Sequence, residues 1–154
     1  MVRQEIHPIA TASQATSSRF VVLVVRMASS VPKPILLIVE NDDETRRLYA
    51  DALHRLGATI IEAANAYEAY DHLKKAPVSL ILTDINMPGG GIDYLARLRE
   101  RVPRCPILAV SGMAGETIRQ AALEAGADLF LAKPVSTREL QEAVKDALKK
   151  RGEP

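Results

Sequence analysis

At 154 residues the chain is one domain's worth, long enough to bury roughly two-thirds of its unfolded surface around a single core. It is 47% apolar and 25% charged but only 4% aromatic, which suits an aliphatic α/β core and argues against surfaces that stack bases or sugars. The net charge of +1 is uneven: Arg3, Arg19, Arg26 and Lys33 against Glu5 put +3 on residues 1–34, and the −2 left over describes no polyanion-binding body, so direct contact with nucleic acid is not expected.

Residues 1–34 stand apart from the rest. Residues 11–18 are small and polar, as in a flexible tail. Residues 19–26 are a short apolar run framed by arginines, readable as a weak secretory signal, an edge-pairing strand or an aggregation-prone segment. Met27-Ala28-Ser29-Ser30 resembles a natural start, so the upstream residues also read as an over-extended frame.

From residue 35 strand and helix signals alternate. Ile35–Val39 is a β-branched and leucine run, expected to be buried on both faces. Asp42 or Asp43 can cap the next helix, whose face is assigned to Leu48, Ala52, Leu53 and Leu56. Gly57 is placed at its left-handed C-terminal position. Residues 59–62 form a short strand, and Asn65 with Glu68 has capping-box spacing for a helix to about Lys75. Residues 78–83 are the third strand. A helix over 92–101 stops before Pro103, and residues 106–110 give the fourth strand. A helix over 115–125 is closed by Gly126, and residues 129–132 are the fifth strand. Ser136 with Glu139 caps a last helix carrying Leu140, Val144, Ala147 and Leu148, and residues 151–154 form a tail. Five βα units with strands too apolar to face water predict a doubly wound, five-stranded parallel sheet with helices on both faces.

Cys105, the only cysteine, reads as a small core residue, and no disulfide framework or zinc cluster can form within one chain. His7, His54 and His72 lack ligand spacing. No apolar run approaches the ~20 residues of a spanning helix, so no membrane insertion is expected.

The chemistry lies at the strand ends. Asp84 closes the apolar run Val78-Ser79-Leu80-Ile81-Leu82-Thr83 and precedes Ile85-Asn86-Met87-Pro88. An ionised carboxylate at the mouth of a buried strand needs a partner. Glu40-Asn41, Ser111 and Lys133-Pro134 end three other strands. In a parallel sheet these groups share one end, where open α/β sheets bind their ligands.

This constellation resembles the receiver domain of two-component response regulators, over about three-quarters of the chain (residues 35–150). Leu82-Thr83-Asp84-Ile85-Asn86-Met87-Pro88 is similar to the family's phosphoacceptor segment. Ile107-Leu108-Ala109-Val110-Ser111-Gly112 is similar to the segment ending in its switch hydroxyl. Ala125-Gly126-Ala127-Asp128-Leu129-Phe130-Leu131-Ala132-Lys133-Pro134 is similar to its last strand and lysine. Any one is weak; together and in order they are specific.

The resemblance implies a flavodoxin-like fold with strand order 2-1-3-4-5 and a cytoplasmic, bacterial signalling protein. It makes Asp84 the nucleophile that accepts a phosphoryl group from a sensor histidine kinase or histidine phosphotransfer protein. Mg²⁺ would sit on Glu40, Asn41, Asp84 and the backbone carbonyl of Asn86. Lys133 would neutralise a phosphoryl oxygen and Ser111 would hydrogen-bond another. Ser111 and Phe130 would be the switch pair. The protein would be no enzyme beyond its own phosphoryl transfer and hydrolysis. With no room for an output domain after Lys150, output would be a contact with an unidentified protein target through the fourth helix, fifth strand and fifth helix, with the first helix meeting the phosphodonor.

Two departures stand out. Asn41 takes a position where the family usually supplies a carboxylate to the metal, which weakens the metal site. The loop Pro88-Gly89-Gly90-Gly91-Ile92 is one residue short and glycine-rich, and is expected to be mobile. Asn41 also favours a second reading, a degenerate receiver that takes no phosphate and acts as a constitutive binding module. A haloacid-dehalogenase-type phosphatase is a poor third, because Asn86 stands where those enzymes carry a second Asp.

Overall fold

The computed structural model describes residues 31–152; the expectations for residues 1–30 and for residues 153 and 154 lie outside them. Five strands, β1 (Ile35–Val39), β2 (Thr59–Ala63), β3 (Leu80–Asp84), β4 (Ile107–Ser111) and β5 (Leu129–Ala132), alternate with helices α1 (Asp43–His54), α2 (Ala66–Lys75), α3 (Ile92–Arg101), α4 (Glu116–Ala125) and α5 (Thr137–Gly152). All pair in parallel in the order β2-β1-β3-β4-β5, the doubly wound, flavodoxin-like arrangement. No helix among the described residues is long and apolar enough to cross a membrane.

The period of two in the strands divides the core. Leu36, Ile38, Leu80, Leu82, Leu108 and Val110 point to one face and pack under Leu53 of α1 and Leu140 and Val144 of α5. Leu37, Val39, Ile81, Ile107 and Ala109 point to the other, under Ala69 of α2, Tyr94, Leu95 and Leu98 of α3 and Ala122 of α4. With apolar side chains on both faces, β3 and β4 are buried throughout.

Local signals set the helix ends. Asp42 accepts a hydrogen bond from Thr45 N at 2.8 Å, Asn65 one from Glu68 N at 2.9 Å and Ser136 one from Glu139 N at 3.1 Å, and each such cap stabilises by about 1 kcal/mol. Glu68 reaches back to Ala64 N at 2.8 Å, closing the reciprocal half of the box one residue early. Gly57 has φ 77°, as its position past α1 requires.

Several expectations are corrected. Leu48 is 54% exposed, and α1 instead buries Tyr49, Ala50, Ala52 and Leu53; the stripe is rotated toward Tyr49, whose larger side chain fills the space above the sheet. β3 begins at Leu80 rather than Val78, because Ser79 is drawn to the start of β1, with its amide on Ile35 O at 2.7 Å and its hydroxyl accepting from Ile35 N at 3.1 Å. At their other ends β3 takes in Asp84 and β4 takes in Ser111. α5 runs through Arg151 and Gly152, two residues into the segment expected to be a tail. The glycine loop is tied by Gly90 N on Met87 O at 2.9 Å and Gly91 N on Ile85 O at 2.7 Å. A Cβ at Gly90 would meet Ile85 O at 2.6 Å, which is why glycine stands there.

Candidate functional site

The carboxyl ends of β1, β3, β4 and β5 bring the strand-end groups together. Asp84 is 4% exposed and Glu40 1%, so both carboxylates are out of water and need partners. Lys133 supplies one to each: its Nζ donates to Glu40 Oε2 at 2.6 Å and to Asp84 Oδ2 at 2.9 Å. Burial pushes the Lys133 pKa down, but the hydrogen bonds and charges of Glu40 and Asp84 push it up by more, so it stays a firm ammonium. The remaining oxygens are also held, Asp84 Oδ1 by Asn86 N at 2.8 Å and Glu40 Oε1 by Asp42 N at 2.9 Å.

Ser111, fully buried at the end of β4, lies beside this pair. Its hydroxyl donates to Asn86 Oδ1 at 2.9 Å and accepts from Met113 N at 3.0 Å. The Lys133 amide binds Ser111 O at 2.8 Å, fixing the loop that carries the lysine to the strand that carries the hydroxyl. Phe130 is half-buried on the side of the sheet covered by α2, α3 and α4, against Ala109 of the neighbouring strand. Asn41 is exposed at the rim, and the neighbouring Asp42 carboxylate is engaged in the α1 cap. The structure thus gathers Glu40, Asp84 and Lys133 into one cluster with Asn86 and Ser111 bonded at its edge. Asn41 and Phe130 have no hydrogen bond to it among the described residues.

Three supporting groups are not visible in the sequence pattern. Arg46 of α1 donates to Glu40 O at 2.8 Å and pairs with Asp43 at 2.6 Å, bracing the turn after β1. Thr83 donates to Asp84 O at 2.9 Å and shares a 3.2 Å hydrogen bond with the Tyr94 hydroxyl, so the backbone of Asp84 is braced from below. The Asn86 side chain is the third. A threonine inside an apolar strand is the one available signal, for the second of these, since its buried hydroxyl needs a partner.

The donor set suits a hard cation. Two carboxylates, an amide oxygen at Asn41 and a backbone carbonyl at Asn86 are oxygen donors of the kind Mg²⁺ takes, and Mg²⁺ is commonly held by only one or two carboxylates with water and phosphate completing its shell. That is consistent with there being no cluster of three or more His, Cys, Asp or Glu side chains arranged for a metal among the described residues.

Comparison with known proteins agrees with this geometry. The family model of the response regulator receiver domain matches residues 36–145. The chain is similar to the response regulator protein PilR of Pseudomonas aeruginosa, 34% identical over 116 residues that make up 75% of this chain and 26% of that protein. It is also similar to the transcriptional regulatory protein SrrA of Staphylococcus aureus, 36% identical over 116 residues, 75% of this chain and 48% of that one. A cyclic di-GMP phosphodiesterase of Thermotoga maritima is 33% identical over 117 residues, 75% of this chain and 31% of that protein. The match therefore spans between about a quarter and a half of these relatives. Among solved structures, a response regulator receiver domain protein (CheY-like) from Methanospirillum hungatei superposes with a TM-score of 0.74 at 27% identity, covering 78% of this chain and 97% of that one. A two-component response regulator from Clostridium difficile shares the fold at a TM-score of 0.75 and 24% identity, over 79% of this chain and all of that one.

Proposed function

The chain belongs to the response regulator receiver domain family, and from that premise we propose that it accepts a phosphoryl group on Asp84 from a phosphohistidine of a sensor histidine kinase or histidine phosphotransfer protein and signals by protein contact. The observation that carries the proposal is the Asp84 carboxylate itself: buried, anchored through Oδ1 by Asn86 N and through Oδ2 by the Lys133 ammonium, with the Ser111 hydroxyl at the end of the neighbouring strand. An Asp84 oxygen attacks phosphorus as the P–N bond breaks, and the imidazole leaves with the electron pair of that bond. Lys133 offsets charge on the phosphoryl oxygens, and the Ser111 hydroxyl donates to one of them once it leaves Asn86 Oδ1.

Glu40, Asp84, Asn41 and the Asn86 carbonyl are the residues that would hold Mg²⁺. When bound, that ion supplies the positive charge that lets an anionic carboxylate and an anionic phosphoryl group approach. Glu40 lies outside the transfer itself; its part is to orient Lys133 through the 2.6 Å contact with its buried carboxylate and to offer that carboxylate to the ion. The receiver domain is residues 35–150, and the output surface that the family resemblance implies belongs to the same proposal: α4, β5 and α5, with Phe130 on β5 facing the α4 side of the sheet.

The test is phosphorylation by a small-molecule phosphodonor with Mg²⁺, read by intact mass. One added phosphate, labile in the manner of an acyl phosphate and lost in Asp84→Asn, is the expected result. Persistent labelling of that variant would move the acceptor elsewhere. A complete lack of labelling, with and without the donor protein, would favour the second reading, a constitutive binding module, for which the uncharged Asn41 is the supporting observation.

A further inference from the structure

We infer that the Asn86 side chain is a positioning residue that holds the Ser111 hydroxyl away from the acceptor and so sets the threshold of the switch; this rests on the phosphoacceptor reading of Asp84. The hydroxyl of Ser111 has one proton to give. With Asp84 an unmodified carboxylate, that proton goes to Asn86 Oδ1 at 2.9 Å, and the Met113 amide at 3.0 Å fills the oxygen's accepting side. Ser111 is fully buried, so it cannot exchange this partner for water. To donate to a phosphoryl oxygen on Asp84, it must first release Asn86.

Asn86 is suited to the part. Its backbone amide is fixed on Asp84 Oδ1 at 2.8 Å, which sets the root of the side chain regardless of what the amide group does. The side chain is exposed and borders an open hollow of about 500 Å³ shared with Met87, Ile92 and Met113. Once Ser111 turns away, the amide can swing into solvent and keep its hydrogen bonds with water. Asn86 thus lowers the free energy of one state of Ser111 without penalising its own release. A bond of this kind is worth a shift of about 3- to 10-fold in a two-state balance.

The experiment measures binding of beryllofluoride with Mg²⁺, a phosphoryl mimic, to the wild type, Asn86→Ala, Ser111→Ala and the double variant, together with the Met113 amide resonance before the mimic is added. Asn86→Ala keeps the backbone carbonyl and amide, so a metal contact there is undisturbed. The expected result is binding about 3- to 10-fold tighter in Asn86→Ala, with no gain from the same change in the Ser111→Ala background, because the coupling needs both side chains. The Met113 amide should shift in Asn86→Ala relative to wild type and hardly at all between Ser111→Ala and the double variant. Equal gains in both backgrounds, or a Met113 amide indifferent to Asn86, overturns the inference. If the wild type fails to bind the mimic, the phosphoacceptor reading falls, and the Met113 resonance alone still decides whether Asn86 holds Ser111.

Discussion

Lys133 approaches Glu40 at 2.6 Å, closer than its 2.9 Å contact with Asp84, so the lysine of the β5–α5 loop is bound as much to the end of β1 as to the carboxylate that closes β3. One ammonium holds two carboxylates that burial would otherwise set against each other. Lys133→Met should therefore cost stability as well as function. Removing one partner of a buried pair costs about 3–5 kcal/mol, and the partial exposure of Lys133 lowers the expectation to about 2–3 kcal/mol. Mg²⁺ should raise the melting temperature of this variant more than that of the wild type, because the ion replaces a lost charge. A variant that melts with the wild type and ignores Mg²⁺ would mean that the two carboxylates do not depend on the lysine.

Asn41→Asp should bind Mg²⁺ more tightly, by about 10-fold, since a full charge near a divalent ion outweighs an amide dipole even at high dielectric. Asp42 is not free to substitute for it, because its carboxylate accepts from Thr45 N at 2.8 Å to cap α1. Calorimetric titration checks this, and unchanged or weaker binding would place the ion elsewhere.

Gly126→Ala should be among the more damaging small substitutions outside the site. Gly126 has φ 120°, where an L side chain is strained, and a Cβ there would lie 2.7 Å from the Cβ and Cγ of Arg99. Arg99 forks onto Gly126 O at 2.9 and 2.8 Å, reaches the carbonyls of Val102, Pro103 and Cys105, and pairs with Asp128 at 2.7 Å. The alanine strains its own backbone and displaces this clamp, for about 2–4 kcal/mol in urea denaturation. In an Arg99→Ala background the collision is gone, and only about 1–2 kcal/mol of backbone strain should remain. An undiminished cost there would remove the clamp from the explanation.

The parallel sheet and the acid–lysine cluster were legible because they depend on short signals: apolar runs with turn residues after them, and polar groups placed where an apolar run ends; the strand order came from the family resemblance. Asp84, Lys133 and Glu40 had to meet once the strands were parallel. What stayed hidden depends on side-chain reach in three dimensions. Nothing in the helical pattern distinguishes Leu48 from Tyr49 as the inward residue, since adjacent positions differ by 100° and the stripe can rotate to bury the larger one. Arg99 looks like any basic residue near a helix C-terminus, yet its guanidinium ties the α3–β4 link to the α4–β5 link. The sequence points to Asn86 only for its backbone carbonyl, and only coordinates show that its side chain reaches Ser111 on the next strand.

Alkaline pH should unfold the domain in stages, beginning with Cys105. Burial pushes its thiol up from 9.0 to about 11, and burial likewise pushes Tyr94 from 10.0 to about 12, its bond to Thr83 opposing only in part. Tyr49 is raised mainly by burial, and Lys133 is raised by Glu40 and Asp84 against the effect of burial. In each case the folded state holds its proton more tightly than the unfolded chain does. Each contribution is therefore complete below the unfolded pKa and disappears as pH rises through the folded one. Stability should be level from neutral pH to about 8.5 and fall from about 9, where the unfolded thiol begins to ionise and the other three groups do not. The Cys105 contribution lost between pH 9 and 11 is about 2–3 kcal/mol, since each tenfold difference in proton affinity between the two states is worth about 1.4 kcal/mol. Cys105→Ala will start from lower stability, having lost buried volume, but its urea midpoint should change much less between pH 8.5 and 10. Parallel pH profiles for the two proteins would mean that the thiol is not the group whose ionisation opens the fold.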